Sequence, residues 1–364
     1  MSSNSIFSQM DIVKIIRSYG INLIREGNRY YGSIPPVGQT GKSLHVWADT
    51  NTWFCNKNHV GGGIIDFIQN REIGFTKRQA LEKAVEISGV QLELLSDEQI
   101  DKLAEKAEVY KTLTAATSAY NANLTTDLYS FIFNKWGITR ESADEWNLGY
   151  ASTERNLDGI DPKILIKTGL VNITDTGNMG GEFYRGRIIF PHIINGITQY
   201  MAGSATPDTP DHDKESKYKY LRIRSETKNE QISEFIQKKG FFGEDRLKNA
   251  DVCFITEGLA DCIVANQFGF PCLALGSTGI SKECQEHLIH LLGKKKCVYL
   301  CFDNDENKAG QKGAITIGQI LFDAGIQIKI MDLPRGSKKM DIAEFMKDKE
   351  AKDFELLKKR LLAL

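Results

Sequence analysis

The sequence has no apolar run approaching the ~20 residues that a membrane-spanning helix requires. Its first residues, Met1-Ser2-Ser3-Asn4-Ser5, carry neither the basic start nor the long apolar segment that directs secretion. The expectation is a soluble, cytoplasmic chain with no membrane partner. An excess of either charge is also missing, since 46 Lys plus Arg stand against 47 Asp plus Glu. Binding to a polyanion therefore depends on local clustering of bases, not on a basic chain as a whole. Cysteine is sparse, seven in 364 residues. Cys253, Cys262, Cys272, Cys284, Cys297 and Cys301 fall in or beside apolar runs without the close spacing of metal ligands, and they read as reduced core residues. Internal repeats and low-complexity tracts do not occur. The remainder is ordinary globular composition, long enough for two or three domains of ~100–200 residues each.

Five stretches follow one another. Residues 1–95 begin with a helical pattern over 9–19, then Asn28-Arg29-Tyr30-Tyr31-Gly32-Ser33, whose aromatic, turn-flanked pattern predicts a strand, and further strands near 43–48 and 52–55. Gly61-Gly62-Gly63 leads into Ile64-Ile65-Asp66-Phe67-Ile68, and apolar residues recur at helical spacing over 78–88. This is a small β-rich module closed by helices. Residues 96–125 alternate charge around Ile100, Leu103, Ala104 and Ala107, as on a solvated amphipathic helix serving as a connector.

Residues 126–248 hold Phe183-Tyr184-Arg185-Gly186-Arg187-Ile188-Ile189-Phe190-Pro191. On a strand, Arg185 and Arg187 project to one face, and Gly186 between them leaves room for a phosphate to approach. Downstream, Lys214, Lys217, Lys219, Arg222, Arg224 and Lys228 interleave with Tyr218 and Tyr220, a pattern able to track a nucleic-acid backbone. Either group also reads as wetted surface charge.

Residues 249–335 alternate short apolar strands (252–256, 272–275, 297–302, 327–333) with helices (261–268, 282–292, 309–324). That alternation implies right-handed crossovers and a parallel sheet. Acidic residues lie at or just beyond the strand ends: Glu257 and Asp261 in Thr256-Glu257-Gly258-Leu259-Ala260-Asp261, Asp303 and Asp305 in Phe302-Asp303-Asn304-Asp305. In residues 336–364, Asp341 and Glu344 follow in Met340-Asp341-Ile342-Ala343-Glu344. Strand ends are where an open α/β sheet presents ligands. Hard cations such as Mg²⁺ and Mn²⁺ take oxygen ligands, and several close carboxylates repel one another unless a cation neutralises them.

Glu-Gly-x-x-Asp, the Gly-rich end Gly276-Ser277-Thr278-Gly279, and Phe-Asp-x-Asp with trailing Ala309-Gly310 resemble the TOPRIM fold shared by primases, topoisomerases and some nucleases. Tyr184-Arg185-Gly186-Arg187-Ile188 with Phe190-Pro191, and Lys219-Tyr220-Leu221, are similar to the arginine and Lys-Tyr-Leu motifs of bacterial DnaG-type primases. Asn147-Leu148-Gly149-Tyr150-Ala151 and Gly240-Phe241-Phe242-Gly243 also fall at family positions, so the likeness covers nearly the whole chain.

The resemblance implies an α/β multidomain protein, with a zinc-ribbon-like N-terminal module, then a primase core containing a TOPRIM parallel sheet. It implies DNA-templated synthesis of short RNA primers by metal-dependent nucleotidyl transfer, with Mg²⁺ or Mn²⁺ as cofactor and single-stranded DNA and nucleoside triphosphates as partners. By the match Glu257, Asp261, Asp303, Asp305 and Asp341 are catalytic, with Glu257, Asp303, Asp305 and Asp341 holding metal. Arg185, Arg187, Lys219, Arg222 and Lys239 contact nucleotide or template. The chain departs from the family in the ribbon. Ile34-Pro35-Pro36-Val37 stands where the first ligand pair belongs, and at the second only Cys55 and His59 remain, with Asn58 in a ligand's place. A structural zinc wants four ligands, so the expectation is a ribbon that folds without zinc.

A metal-dependent nuclease on the same fold and an inactive replication adaptor binding single strands or a helicase stay open as alternatives. Family members usually carry a further C-terminal domain for the replicative helicase, whereas this chain ends about twenty residues after Asp341. A helicase contacted differently, a protein working alone, and a fragment all fit that ending. A reduced form of the kind carried by phages, plasmids or other mobile elements also suits it.

Overall fold

The computed structural model describes residues 10–34, 42–89, 97–227, 229–238, 240–277, 279–304, 306, 308–334, 340–347 and 349–361. The first unit opens with α1 (Ile12–Ser18), capped by Asp11, whose Oδ1 accepts the Val13 N–H at 2.8 Å. An antiparallel meander follows, in the order β1 (Ile24–Glu26), β2 (Arg29–Gly32), β3 (Leu44–Trp47), β4 (Thr52–Cys55), β5 (Val60–Gly62). Helices α2 (Ile64–Arg71) and α3 (Lys77–Ser88) close it. Ile12, Ile15, Ile16, Leu44, Val46, Trp53, Phe67 and Ile68 are almost wholly buried together, so this module has its own apolar core. Alternating inward residues on β3 and β4 supply one side of that core and the helices the other.

Helix α4 (Asp97–Ala122) starts as the wetted, charge-alternating helix the sequence predicts. Its second half differs: Val109, Leu113, Ala116 and Tyr120 are fully buried. Their spacing of four, three and four puts them on one helical face, which packs into the core of the next region beside Ile189 and Met201. Then come α5 (Thr126–Trp136), α6 (Arg140–Glu145), β6 (Gly149–Ala151), α7 (Pro162–Thr168) and a small hairpin of β7 (Val171–Ile173) with β8 (Met179–Glu182). Strands β9 (Arg187–Ile194), β10 (Ile197–Ala205) and β11 (Tyr218–Tyr220) join β6 in an antiparallel sheet of order β11-β10-β9-β6. A short α8 (Arg224–Thr227) leads out of it.

The third region is the expected parallel sheet. It comprises β12 (Val252–Thr256), α9 (Leu259–Gln267), β13 (Cys272–Ala274), α10 (Lys282–Leu292), β14 (Cys297–Cys301), α11 (Ala309–Asp323) and β15 (Ile328–Ile330), with strand order β13-β12-β14-β15. The chain leaves β12 toward one side and returns to β14 on the other, so the carboxyl ends of β12 and β14 flank a topological switch point. Helices α12 (Ile342–Met346) and α13 (Ala351–Leu357) finish the chain. Ile255, Leu273, Val298 and Leu300 face α10 and α11, while Phe254, Cys272 and Cys301 face a core shared with Trp136, Ile188 and Phe190. The seven cysteines are all unpaired thiols, six of them buried. Among the described residues no helix is long and apolar enough to cross a membrane.

Candidate functional site

Three carboxylates meet at the switch point. Asp261, Asp303 and Asp341 each offer an oxygen, and the three oxygens lie within 4.8 Å of one another; Asp261 and Asp303 are buried and Asp341 is half-buried. Each is placed by a different local device. Gly258 caps α9, which puts Asp261 in the first turn, where its Oδ1 accepts the Ala343 N–H at 2.8 Å. Asp303 follows β14, and α11 passes so close behind it that a Cβ on Gly310 would lie 2.2 Å from the Asp303 carbonyl oxygen. Asn304 and Met340 exchange backbone hydrogen bonds (2.8 and 3.1 Å), which brings the next residue, Asp341, alongside. Asp341 then caps α12, its Oδ1 accepting the Glu344 N–H at 2.8 Å.

The expected metal set was Glu257, Asp303, Asp305 and Asp341. Glu257 lines the same cleft but does not enter the three-carboxylate group, and Asp261 does. The helix start explains this: Glu257 precedes Gly258 at the strand end, while one turn of α9 carries Asp261 against α12. Asp305 lies outside the described residues.

The carboxylates open onto a cleft of about 360 Å³ whose other walls include Lys135, Trp136, Lys217, Tyr218 and Tyr220. Burial first, then the Asp261 and Asp341 charges, push the Tyr218 hydroxyl far above its ordinary range, so it stays neutral. Burial and Glu257 raise Tyr220 as well, and its hydroxyl donates to the Gly276 carbonyl at 3.0 Å. Lys135 sits in the last turn of α5, where burial, followed by the charges of Lys217 and Arg187, pulls its ammonium down to about 8. Sequence reasoning missed Lys135. Its position depends on contacts to Ser204 and Ala205, some 70 residues away, and no local pattern announces them.

The predicted bases are distributed differently from expectation. Residues 183–186 form a turn and β9 begins only at Arg187, so Arg185 and Arg187 do not share a strand face. Gly186 adopts φ +70°, and its open side is filled by chain: a Cβ there would lie 2.5 Å from the Asp208 carbonyl oxygen. Arg185 is exposed and donates to the Thr153 carbonyl through Nε and Nη2 (3.1 and 2.9 Å). Arg187 is fully buried and spends its guanidinium on the carbonyls of Gly203 (3.2 Å), Ser216 (3.0 Å) and Asp213. Lys219 pairs with Asp213 at 2.8 Å, and both Lys219 and Arg222 stand over the Phe183 ring, 4.2 and 4.5 Å from its centroid. None of these four lines the carboxylate cleft. Lys239 lies outside the described residues.

In the ribbon, Cys55 is buried on β4 within the apolar core, and His59 stands exposed in a turn with φ +50°. His45 Nε2 lies 3.0 Å from Asn56 Nδ2. Among the described residues no three His, Cys, Asp or Glu side chains of the ribbon come together at metal-ligand spacing. The donor set does not fit a four-coordinate zinc.

Comparison with known proteins gives two family matches: a Toprim-like family over residues 254–346 and a CHC2 zinc finger over residues 1–109. The DNA primase of Clostridium acetobutylicum is 29% identical over 352 residues, covering 90% of this chain and 53% of that protein. The DNA primase of Thermotoga maritima is 24% identical over 332 residues, covering 86% and 54%. The chain thus spans about half the length of the curated relatives it matches. Among solved structures, the zinc-binding and RNA polymerase domains of the Aquifex aeolicus primase superpose with a TM-score of 0.65 at 22% identity, over 100% of this chain and 87% of that one. The DnaG primase catalytic domain bound to ssDNA gives 0.57 at 18% identity, over 71% and 80%. These two likenesses are of fold.

Proposed function

We propose that this chain, a member of the bacterial DnaG-type primase family, makes short RNA primers on single-stranded DNA from ribonucleoside triphosphates. The observation that carries the reading is the grouping of Asp261, Asp303 and Asp341 at the switch point of the parallel sheet. Three carboxylate oxygens at this spacing suit a hard divalent cation, Mg²⁺ or Mn²⁺. Such a cation, when bound, supplies electrostatic stabilisation to the triphosphate and to departing pyrophosphate.

The chain's own groups do the rest. Asp261, Asp303 and Asp341 hold the cation, with Asp305, two residues beyond Asp303, assigned to the same shell. Glu257, in the cleft but outside the trio, takes the proton of the attacking 3′-hydroxyl. Tyr218, kept neutral by its half-buried position beside the carboxylates, donates a hydrogen bond without adding charge. Exposed Arg185, with Lys219, Arg222 and Lys239, follows the template backbone. Buried Arg187 instead ties the loop around Asp213 and Ser216 to β10. The ribbon folds on its apolar core without zinc.

The test is incubation with single-stranded DNA, labelled nucleoside triphosphates and Mg²⁺ or Mn²⁺, resolved on a denaturing gel. Short labelled products are expected. Degradation of the DNA without added nucleotides identifies a nuclease instead, and strand binding without either product identifies an adaptor.

A further inference from the structure

Among the described residues two cations line the carboxylate cleft, Lys135 and Lys217, and neither is among the residues that the family resemblance assigns to nucleotide. Lys135 is held in place on several sides. Its Nζ donates to the Ala205 carbonyl at 2.8 Å and the Ser204 hydroxyl at 3.3 Å. The same atom stands 4.5 Å from the centroid of Trp136 and 5.1 Å from that of Phe131.

Burial, and then the charges of Lys217 and Arg187, pull its pKa down to about 8. A half-buried ammonium crowded by cations is unfavourable by itself, and an anion entering the cleft reverses that sign. The opposite wall is anionic and repels a bare anion, yet it attracts one that arrives with a divalent cation. The ligand that satisfies both walls is a polyphosphate chelating its metal, and a cleft of about 360 Å³ has room for a triphosphate tail.

We propose that Lys135, assisted by Lys217, binds the terminal phosphates of the incoming nucleotide and the pyrophosphate that leaves. The inference rests on the nucleotidyl-transfer reading and names the phosphate subsite of that cleft. Arginine at 135 keeps the charge and hydrogen-bonding capacity, whereas glutamine keeps only the approximate length.

Calorimetric titration of the full chain with magnesium pyrophosphate tests it, with circular dichroism to confirm folding of every variant. Lys135→Gln is expected to weaken binding more than about tenfold, the loss of a charge-assisted contact. Lys217→Gln, at an exposed position, loses less. Lys135→Arg restores most of the affinity, and Lys352→Gln, an exposed change on α13, has no effect. Magnesium alone binds Lys135→Gln as it binds wild type, which separates a phosphate contact from general damage to the site. In primer synthesis Lys135→Gln raises KM for nucleotide more than it lowers kcat. Pyrophosphate binding unchanged in Lys135→Gln, or absent from wild type, overturns the proposal. If pyrophosphate binding depends on Lys135 while wild type makes no primer, the subsite stands and the primer reading falls. If Lys135→Gln makes primers with wild-type KM, the subsite falls and the reading stands.

Discussion

Replacing Asp341 by Asn removes one charge from a trio whose oxygens lie within 4.8 Å of one another. At that separation a like-charge pair costs about 1 kcal/mol with water-like screening and roughly 3 kcal/mol at an effective dielectric near 20. Asp341 takes part in two such pairs. Its other task, accepting the Glu344 N–H at the start of α12, is one that asparagine performs about as well. Because Asp341 is half-exposed, the lower figure applies to each pair, so in chelator Asp341→Asn should be more stable than wild type by about 2 kcal/mol. That corresponds to a Tm higher by roughly 4–8 °C. Divalent cation should invert the order: at a hundred times its Kd it stabilises wild type by about 2.7 kcal/mol, and the variant, short of one ligand, gains less. Scanning calorimetry in chelator and in Mg²⁺ or Mn²⁺ reads both effects. Equal or lower stability of the variant in chelator, with the same gain from metal as wild type, refutes the reasoning that these carboxylates form one cation site.

Arg187→Met should destabilise the protein by about 3 kcal/mol or more in urea unfolding, because the Gly203, Ser216 and Asp213 carbonyls lose their donor. Arg185→Ala, at an exposed turn, should stay within about 0.5 kcal/mol of wild type and weaken single-strand binding. The reverse assignment of these effects would contradict the burial of Arg187. Elemental analysis should find well under one zinc per chain, and chelator should leave the melting of the ribbon unchanged; a stoichiometric zinc overturns the account of its apolar core. The His287 imidazole lies 2.9 Å from buried Glu244, stacks on Phe241, and has its pKa raised by that carboxylate. A raised folded-state pKa gives stability that is complete below the unfolded value of about 6.5 and is lost as pH rises through the folded one. The stability gap between wild type and His287→Gln should therefore shrink as pH rises above about 6.5, and a gap that widens as pH rises contradicts the pairing.

The acidic strand ends were legible because their signal is local: β12 and β14 are continuous apolar runs, and Glu257, Asp261 and Asp303 follow them within a few residues. Strand and helix alternation also sufficed for a parallel sheet, although β15 proved shorter than the apolar run suggested. What the sequence does not carry is which side chains converge. Asp261 joins Asp303 and Asp341 through the start of α12, some 80 residues on. Spacing on a strand misplaced Arg185 and Arg187, because Gly186 ends a turn with positive φ and the strand starts after it. Charge alternation early in α4 likewise concealed its apolar second half, whose partners Ile189 and Met201 come far later in the chain. Long-range packing decided each of these, and no window of ten or twenty residues contains it.

The most direct measurement is the yield of the first phosphodiester product, a labelled dinucleotide made on single-stranded DNA in saturating Mg²⁺ or Mn²⁺, compared among wild type, Asp261→Asn, Asp303→Asn and Lys352→Gln. The account predicts product from wild type and from Lys352→Gln, and a loss of about a hundredfold or more from each aspartate variant while all four remain folded. Dinucleotide formed by Asp261→Asn and Asp303→Asn at the wild-type rate would show that the chemistry lies elsewhere than at the three carboxylates.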